Sequence, residues 1–183
     1  MKALADIVSM GKALYVGLSN YPTDRALEAQ KILRSFGVEL LIHQPSFSMF
    51  NQWIIKDKLN VEMEKAGVGI IPFSILAQGL LTNKYIKEIP KDSRVANKDV
   101  PFLNENNITE DMRSKLVKLN ELALLRNQSM AQMAIAWTAQ TQGITTVLLG
   151  VSRLSQLQDN LDTLQNMTFS ELELKQINEI LFN

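Results

Sequence analysis

The 183 residues carry 19 Lys and Arg against 19 Asp and Glu, one His and no Cys, with 46% hydrophobic and 21% charged side chains. That composition suits a globular chain with one sizeable core. The balanced charge argues against a nucleic-acid partner, which calls for a basic stripe, and the missing thiols exclude disulfides and thiolate metal sites. The apolar runs fall short of the roughly 20 residues that span a bilayer, and Met1–Met10 lacks a secretory apolar core, so no membrane partner and a cytoplasmic location are expected.

Met1–Val8 reads as a first helix feeding a strand at Ala13–Leu18. Glu39–His43, Val68–Phe73 and Thr145–Leu149 read as further strands. Each is a nearly unbroken apolar run, the pattern of parallel strands covered on both faces. Helical patterns occupy Asp24–Phe36 and Asp57–Lys65, with two more between Thr109 and Gln140. These two split at Asn127–Ser129, where Ser129 can cap the second. Met130, Met133 and Trp137 lie at helical spacing and read as core. Helices at Leu154–Leu164 and Ser170–Leu181 follow the last strand, the second opening on a Ser170/Glu173 capping box.

The order αβαβαβ-αα-βαα implies parallel strands joined by right-handed crossovers. Gly11, Gly37, Gly67 and Gly143 precede strands and close helices, whereas polar residues follow the strands. That asymmetry puts the chemistry at the carboxyl ends, as in (β/α) barrels. Residues 1–183 read as a single domain, and 74–108 as a long lid or binding loop on the ligand side. His43, the lone histidine, reads as a hydrogen-bonded core or rim residue. Phe47, Phe50 and Trp53 either line a pocket or pack.

Gly150–Asn160 (GVSRLSQLQDN) is the most informative stretch. Gly150 lets the main chain come close to a ligand, and Ser152 and Arg153 stand at a helix start, where free N–H groups and the dipole favour an anion. That order suits a phosphate. Gln156, Asp159 and Asn160 share one face of the same helix.

The segments GLSNYP, HQPSFSMFN, PFSILAQGLLTNKY, IPKDSR, SMAQMAIAW and LLGVSRLSQLQDN resemble the second half of the aldo-keto reductases. The likeness leans toward the bacterial glyceraldehyde-phosphate-type branch, which is similar to potassium-channel β-subunits. The resemblance implies an α/β fold of the (β/α)8 TIM-barrel type with only its last four βα units present. It also implies NADP(H) as cofactor and hydride transfer to a carbonyl. On this likeness Ser19, Asn20 and Gln44 clamp the nicotinamide carboxamide, Phe73 lies against the nicotinamide face, and Ser74, Leu76, Gln78 and Gly79 line the pyrophosphate with Lys84 adding charge. Gly150, Ser152 and Arg153 hold the phosphate at the adenosine end, and Gln156, Asp159 and Asn160 the adenosine. Arg153 beside Ser152 favours NADP over NAD, because a 2′-phosphate suits a guanidinium fork.

Two positions depart from that pattern. Ser74-Ile75-Leu76 replaces the usual Ser-Pro-Leu, and Asp159 replaces a Glu, one methylene longer. The family's catalytic Asp, Tyr, Lys and His come from strands that have no counterpart here, so no catalytic residue and no metal ligand are assigned. Three readings stand open: a truncated reductase, inactive alone; one half of an enzyme completed by another chain or by self-association through exposed strand edges, with a small carbonyl substrate only then; or a non-enzymatic nucleotide-binding or scaffold module.

Overall fold

A computed structural model of the chain describes residues 1–86 and 108–182, which form two compact units. The expected loop at 74–108 therefore lies largely outside the described residues.

The first unit comprises Met1–Phe47, Asn51–Phe73 and Thr141–Leu149. Its helices are α1 (Lys2–Ser9), α2 (Thr23–Ser35), α3 (Trp53–Lys56) and α4 (Leu59–Lys65). Its strands are β1 (Val16–Ser19), β2 (Leu40–Gln44) and β3 (Gly69–Ile70), hydrogen-bonded in parallel in the order β1-β2-β3. Val16 and Leu18 of β1, Leu40 of β2 and Ile70 of β3 are buried, as are Ala26, Ala29 and Leu33 of α2 and Leu59 and Met63 of α4. Burying these side chains stabilises the unit at about 25 cal/mol per Å² of apolar surface removed from water.

The fourth expected strand, Thr145–Leu149, is not one. Ile144 makes an isolated parallel bridge to Ile70, and the N–H groups of Thr145 and Leu148 donate to the carbonyls of Ile70 and Pro72 at 2.9 and 3.0 Å. A ladder also needs donors running back, and Pro72 has no N–H to give. The third strand shortens from the expected Val68–Phe73 to Gly69–Ile70 for a like reason: Ile71 and Phe73 N–H still donate to the His43 and Pro45 carbonyls, but Pro45 has no N–H to return, and Phe73 regains a bridge to Ser46. The first strand starts three residues late, leaving Leu14 and Tyr15 81% and 70% exposed. The helix expected at Asp57–Lys65 starts at Leu59, because left-handed Lys58 (φ 59°) separates it from α3.

The second unit comprises Ser48–Phe50, Ser74–Gln140 and Gly150–Asn183. It contains α5 (Glu110–Leu125), α6 (Met130–Gln140), α7 (Leu154–Leu161) and α8 (Glu171–Phe182), with short 3₁₀ turns at Ala77–Gly79, Asn83–Tyr85 and Asp162–Gln165. Every residue of α6 from Met130 to Thr138 is buried, as expected of a helix apolar all round; Met130, Met133 and Trp137 are core. Leu116, Leu119 and Ala123 of α5, which packs on α6, are buried, as are Ile177 and Leu181 of α8, which packs on α5. The Ser170/Glu173 box forms as expected, the carboxylate accepting from Ser170 N–H at 2.6 Å and Glu173 N–H donating to Ser170 Oγ at 3.3 Å. The expected last helix before it, Leu154–Leu164, tightens into a 3₁₀ turn after Leu161.

Candidate functional site

In the first unit the polar residues gather where β1 and β2 end. Ser19 and Gln44 are directly paired in the parallel register. The Ser19 hydroxyl donates to the Gln44 carbonyl at 2.8 Å. Asn20 sits in the left-handed region at φ 56°, which Asn tolerates better than most residues. Its Oδ1 accepts from Ser46 N–H at 2.8 Å. The Ser46 carbonyl in turn accepts from Trp53 Nε1 at 2.7 Å. Ser46 and Trp53 thus brace the end of β2, a role that no local sequence signal assigned to Ser46. Phe47 is fully buried and packs, whereas Phe73 remains partly exposed.

His43 lies beneath this rim with no exposure. Its Nε2 is 3.1 Å from the Tyr21 carbonyl oxygen, so Nε2 is the protonated nitrogen, and Nδ1 is a buried acceptor with no partner among the described residues. Burial pushes the imidazole pKa down against the opposing pull of the Tyr21 carbonyl, because a desolvated imidazolium is costly. The expectation of a hydrogen-bonded core histidine is met.

In the second unit, Ser74–Leu80 forms a tight loop. Ser74, Ala77, Gln78 and Gly79 all have positive φ, at 57°, 47°, 58° and 98°. Three of the four are non-glycine residues, each costing on the order of 1–3 kcal/mol. The loop is held by Ala77 N–H to the Ser74 carbonyl and Gly79 N–H to the Leu76 carbonyl, both at 2.8 Å. Ile75, where the family pattern has proline, is 1% exposed and anchors the loop by its apolar side chain instead. Lys84 is exposed.

At α7 the sequence expectations divide. Arg153 takes the N-cap position in extended conformation (φ −142°, ψ 146°), and no side chain caps the helix. The Arg153 carbonyl accepts from the Gln156 and Leu157 N–H groups at 3.1 and 3.3 Å, whereas its side chain is exposed, with no hydrogen bond or ion pair among the described residues. A Cβ on Gly150 would meet nothing within 4 Å, so the approach to the helix start is open. Gln156 turns back one helical turn, and its Oε1 accepts from both Ser152 N–H and Ser152 Oγ at 3.0 and 3.1 Å. Asp159 faces α6, where its oxygens accept from Ser129 Oγ at 3.2 Å and Gln132 Nε2 at 2.9 Å. Asn160 is 8% exposed. Gly150 and the Arg153 side chain are therefore open at one helix start, while Ser152 and Gln156 engage each other, Asp159 is held by α6 and Asn160 is buried. The partners of Asp159 were missed, although the spacing Ser129-x-x-Gln132 is itself a capping-box signal.

Among the described residues there is no group of three His, Cys, Asp or Glu placed to hold a metal ion, and no helix long and apolar enough to cross a membrane. Parallel strands with intervening helices define an α/β protein; residues 1–181 match the Aldo/keto reductase family, and the chain belongs to it. It is 47% identical over 180 residues to the L-glyceraldehyde 3-phosphate reductase of Escherichia coli (strain K12), which covers 97% of this chain and 52% of that protein. The protein of the same name from Escherichia coli O157:H7 is 46% identical over the same shares. The chain spans about half the length of the curated relatives it matches.

Proposed function

We propose that this chain is the NADP(H)-holding half of a carbonyl reductase, four βα units of an eight-stranded barrel. The observation that carries the reading is the pair Ser19 and Asn20 at the end of β1. Asn20 Oδ1 is occupied by Ser46 N–H, which leaves its Nδ2 as a donor. The Ser19 hydrogen is spent on the Gln44 carbonyl, which leaves its lone pairs as acceptors. A primary carboxamide needs one donor and one acceptor side by side, and these two residues offer both. The start of α7, with the Arg153 guanidinium and the open approach at Gly150, has the donor chemistry for a phosphate, and Ser152 adds its N–H and hydroxyl where a phosphate oxygen displaces Gln156 Oε1.

On this reading Ser19, Asn20 and Gln44 orient the nicotinamide ring, with Phe73 against one face. The Ser74–Gly79 loop and Lys84 hold the pyrophosphate, and Arg153 takes the 2′-phosphate. NADPH, when bound, supplies the hydride. The general acid and its neighbours belong to strands outside this sequence, so the chain alone binds cofactor without reducing a carbonyl. A small carbonyl compound, such as the phosphorylated aldehyde in the relatives' name, becomes substrate only in an assembly that contains those strands. Leu14 and Tyr15, exposed just before β1, the edge strand among the described residues, are apolar surface that such an assembly would cover.

Calorimetric titration of the purified chain tests the reading. NADPH should bind more tightly than NADH. Arg153→Ala should weaken NADPH by roughly one to two powers of ten, as a charged hydrogen bond is worth about 1.5–3 kcal/mol. Equal affinity for both cofactors, or an Arg153→Ala variant that binds NADPH unchanged, overturns the assignment. So does aldehyde reduction by the isolated chain, for the inactive-half reading.

A further inference from the structure

We infer that Asp159 is a positioning residue, locking α7 to the start of α6 so that Ser152 and Arg153 are presented to the phosphate, and that it does not read the adenine ring. The inference rests on the NADP(H) reading above for what α7 presents, and on the side-chain geometry of the second unit for the lock itself.

The lock is built from three residues. Ser129 and Gln132 form a reciprocal box at the start of α6: Gln132 N–H donates to Ser129 Oγ at 3.2 Å, and Ser129 N–H donates to Gln132 Oε1 at 2.9 Å. The box leaves two donors, the Ser129 hydroxyl hydrogen and the Gln132 amide group, and both go to one residue. Ser129 Oγ donates to Asp159 Oδ2 at 3.2 Å, while Gln132 Nε2 reaches Asp159 Oδ1 and the Asp159 carbonyl, each at 2.9 Å. Gln132 is 9% exposed and Asp159 half-buried. Hydrogen bonds to a charged acceptor in such surroundings are about twice as strong as neutral ones.

Both carboxylate oxygens of Asp159 are thus held by α6, and Gln132 also grips the backbone of α7 at the same residue. A base amine seeking this carboxylate would have to displace or share those donors. The side chain is also one methylene shorter than the Glu of the resemblance, which brings it onto the helix beside it. The lock matters because the other end of α7 has no cap to fix it. Arg153 lies six positions before Asp159, and one rigid helix transmits the placement.

Binding of two probes separates positioning from contact: NADPH and its 6-oxo analogue, which lacks the adenine amine. If Asp159 positions α7, Asp159→Ala weakens both by the same factor, about five- to tenfold. Asp159→Asn keeps an acceptor for Gln132 and should stay within about twofold of the parent for both. A loss confined to NADPH, with the 6-oxo analogue unaffected, would show direct contact with the amine and overturn the inference; so would unchanged binding of both probes. Deuterium exchange in the unliganded chain gives an independent readout. Amides of α7 should exchange at least tenfold faster in Asp159→Ala and in Gln132→Ala, and the double variant should be no faster than the worse single one. If the parent chain binds neither nucleotide, the NADP(H) reading fails by itself, and the lock then stands or falls on the exchange result: unaltered α7 exchange overturns it.

Discussion

Replacing Arg126 by alanine should unfold the second unit more readily than any other single change at a charged residue there. Arg126 is 7% exposed. Its guanidinium donates to Glu173 Oε1 at 2.6 Å, the Thr168 carbonyl at 2.9 Å and Gln128 Oε1 at 2.9 Å, and it lies 3.8 Å from the centroid of the Phe169 ring. Removing one partner of a buried ion pair costs about 3–5 kcal/mol, because the other charge is left uncompensated. Glu173 keeps a side-chain exposure of 24%, so water recovers part of that loss and the lower end, about 3 kcal/mol, is expected. At about 2–4 °C per kcal/mol for a chain of this size, the midpoint should fall by roughly 6–12 °C. Urea titration in a Trp53→Phe background reads the effect locally, since Trp137 of α6 then reports the second unit alone. Arg126→Lys should fall between parent and alanine variant, since an ammonium cannot span the fork. A loss below about 1 kcal/mol for Arg126→Ala would refute the reasoning, because it would mean the buried charge is not holding the segment that leads into α8.

Glu173 carries the matching pH dependence. Burial raises its pKa, but the Ser170 N–H and hydroxyl and the Arg126 guanidinium outweigh it and hold the carboxyl below its ordinary value. Its contribution should be present above the unfolded pKa and be lost as pH falls through the lower folded one, and Glu173→Gln should flatten that part of a stability–pH profile. His43 is lowered too, so the unfolded chain binds its proton more readily. Stability should be complete above about pH 6.5 and decline below it; a profile unchanged by His43→Gln would contradict this. Gly143→Ala should cost roughly 2–5 kcal/mol, since φ is +80° and the added Cβ would fall 2.3 Å from the Asn60 carbonyl oxygen; a thermal midpoint equal to that of the parent would refute the clash. The purified chain should self-associate through the free edge of β1, and Tyr15→Lys should shift sedimentation toward monomer.

The sequence by itself determined whatever depends on neighbours along the chain. Apolar runs located the strand sites, the Ser170/Glu173 box marked the start of α8, and glycines 11, 37, 67 and 143 take the positive φ their positions before strands implied. The candidate residues at the ends of β1 and β2 were legible for the same reason, since polar residues directly after apolar runs emerge at the carboxyl edge. Tertiary structure alone decided what depends on partners distant in sequence. Thr145–Leu149 has strand composition, yet a strand exists only through its ladder, and Pro72 in the neighbouring run has no hydrogen to return. Gln156, Asp159 and Asn160 share a helix face in the sequence, but periodicity cannot say what that face meets. The side chains of Ser129 and Gln132, about thirty residues earlier, claim Asp159, while the Arg153 side chain at the helix start meets no partner among the described residues.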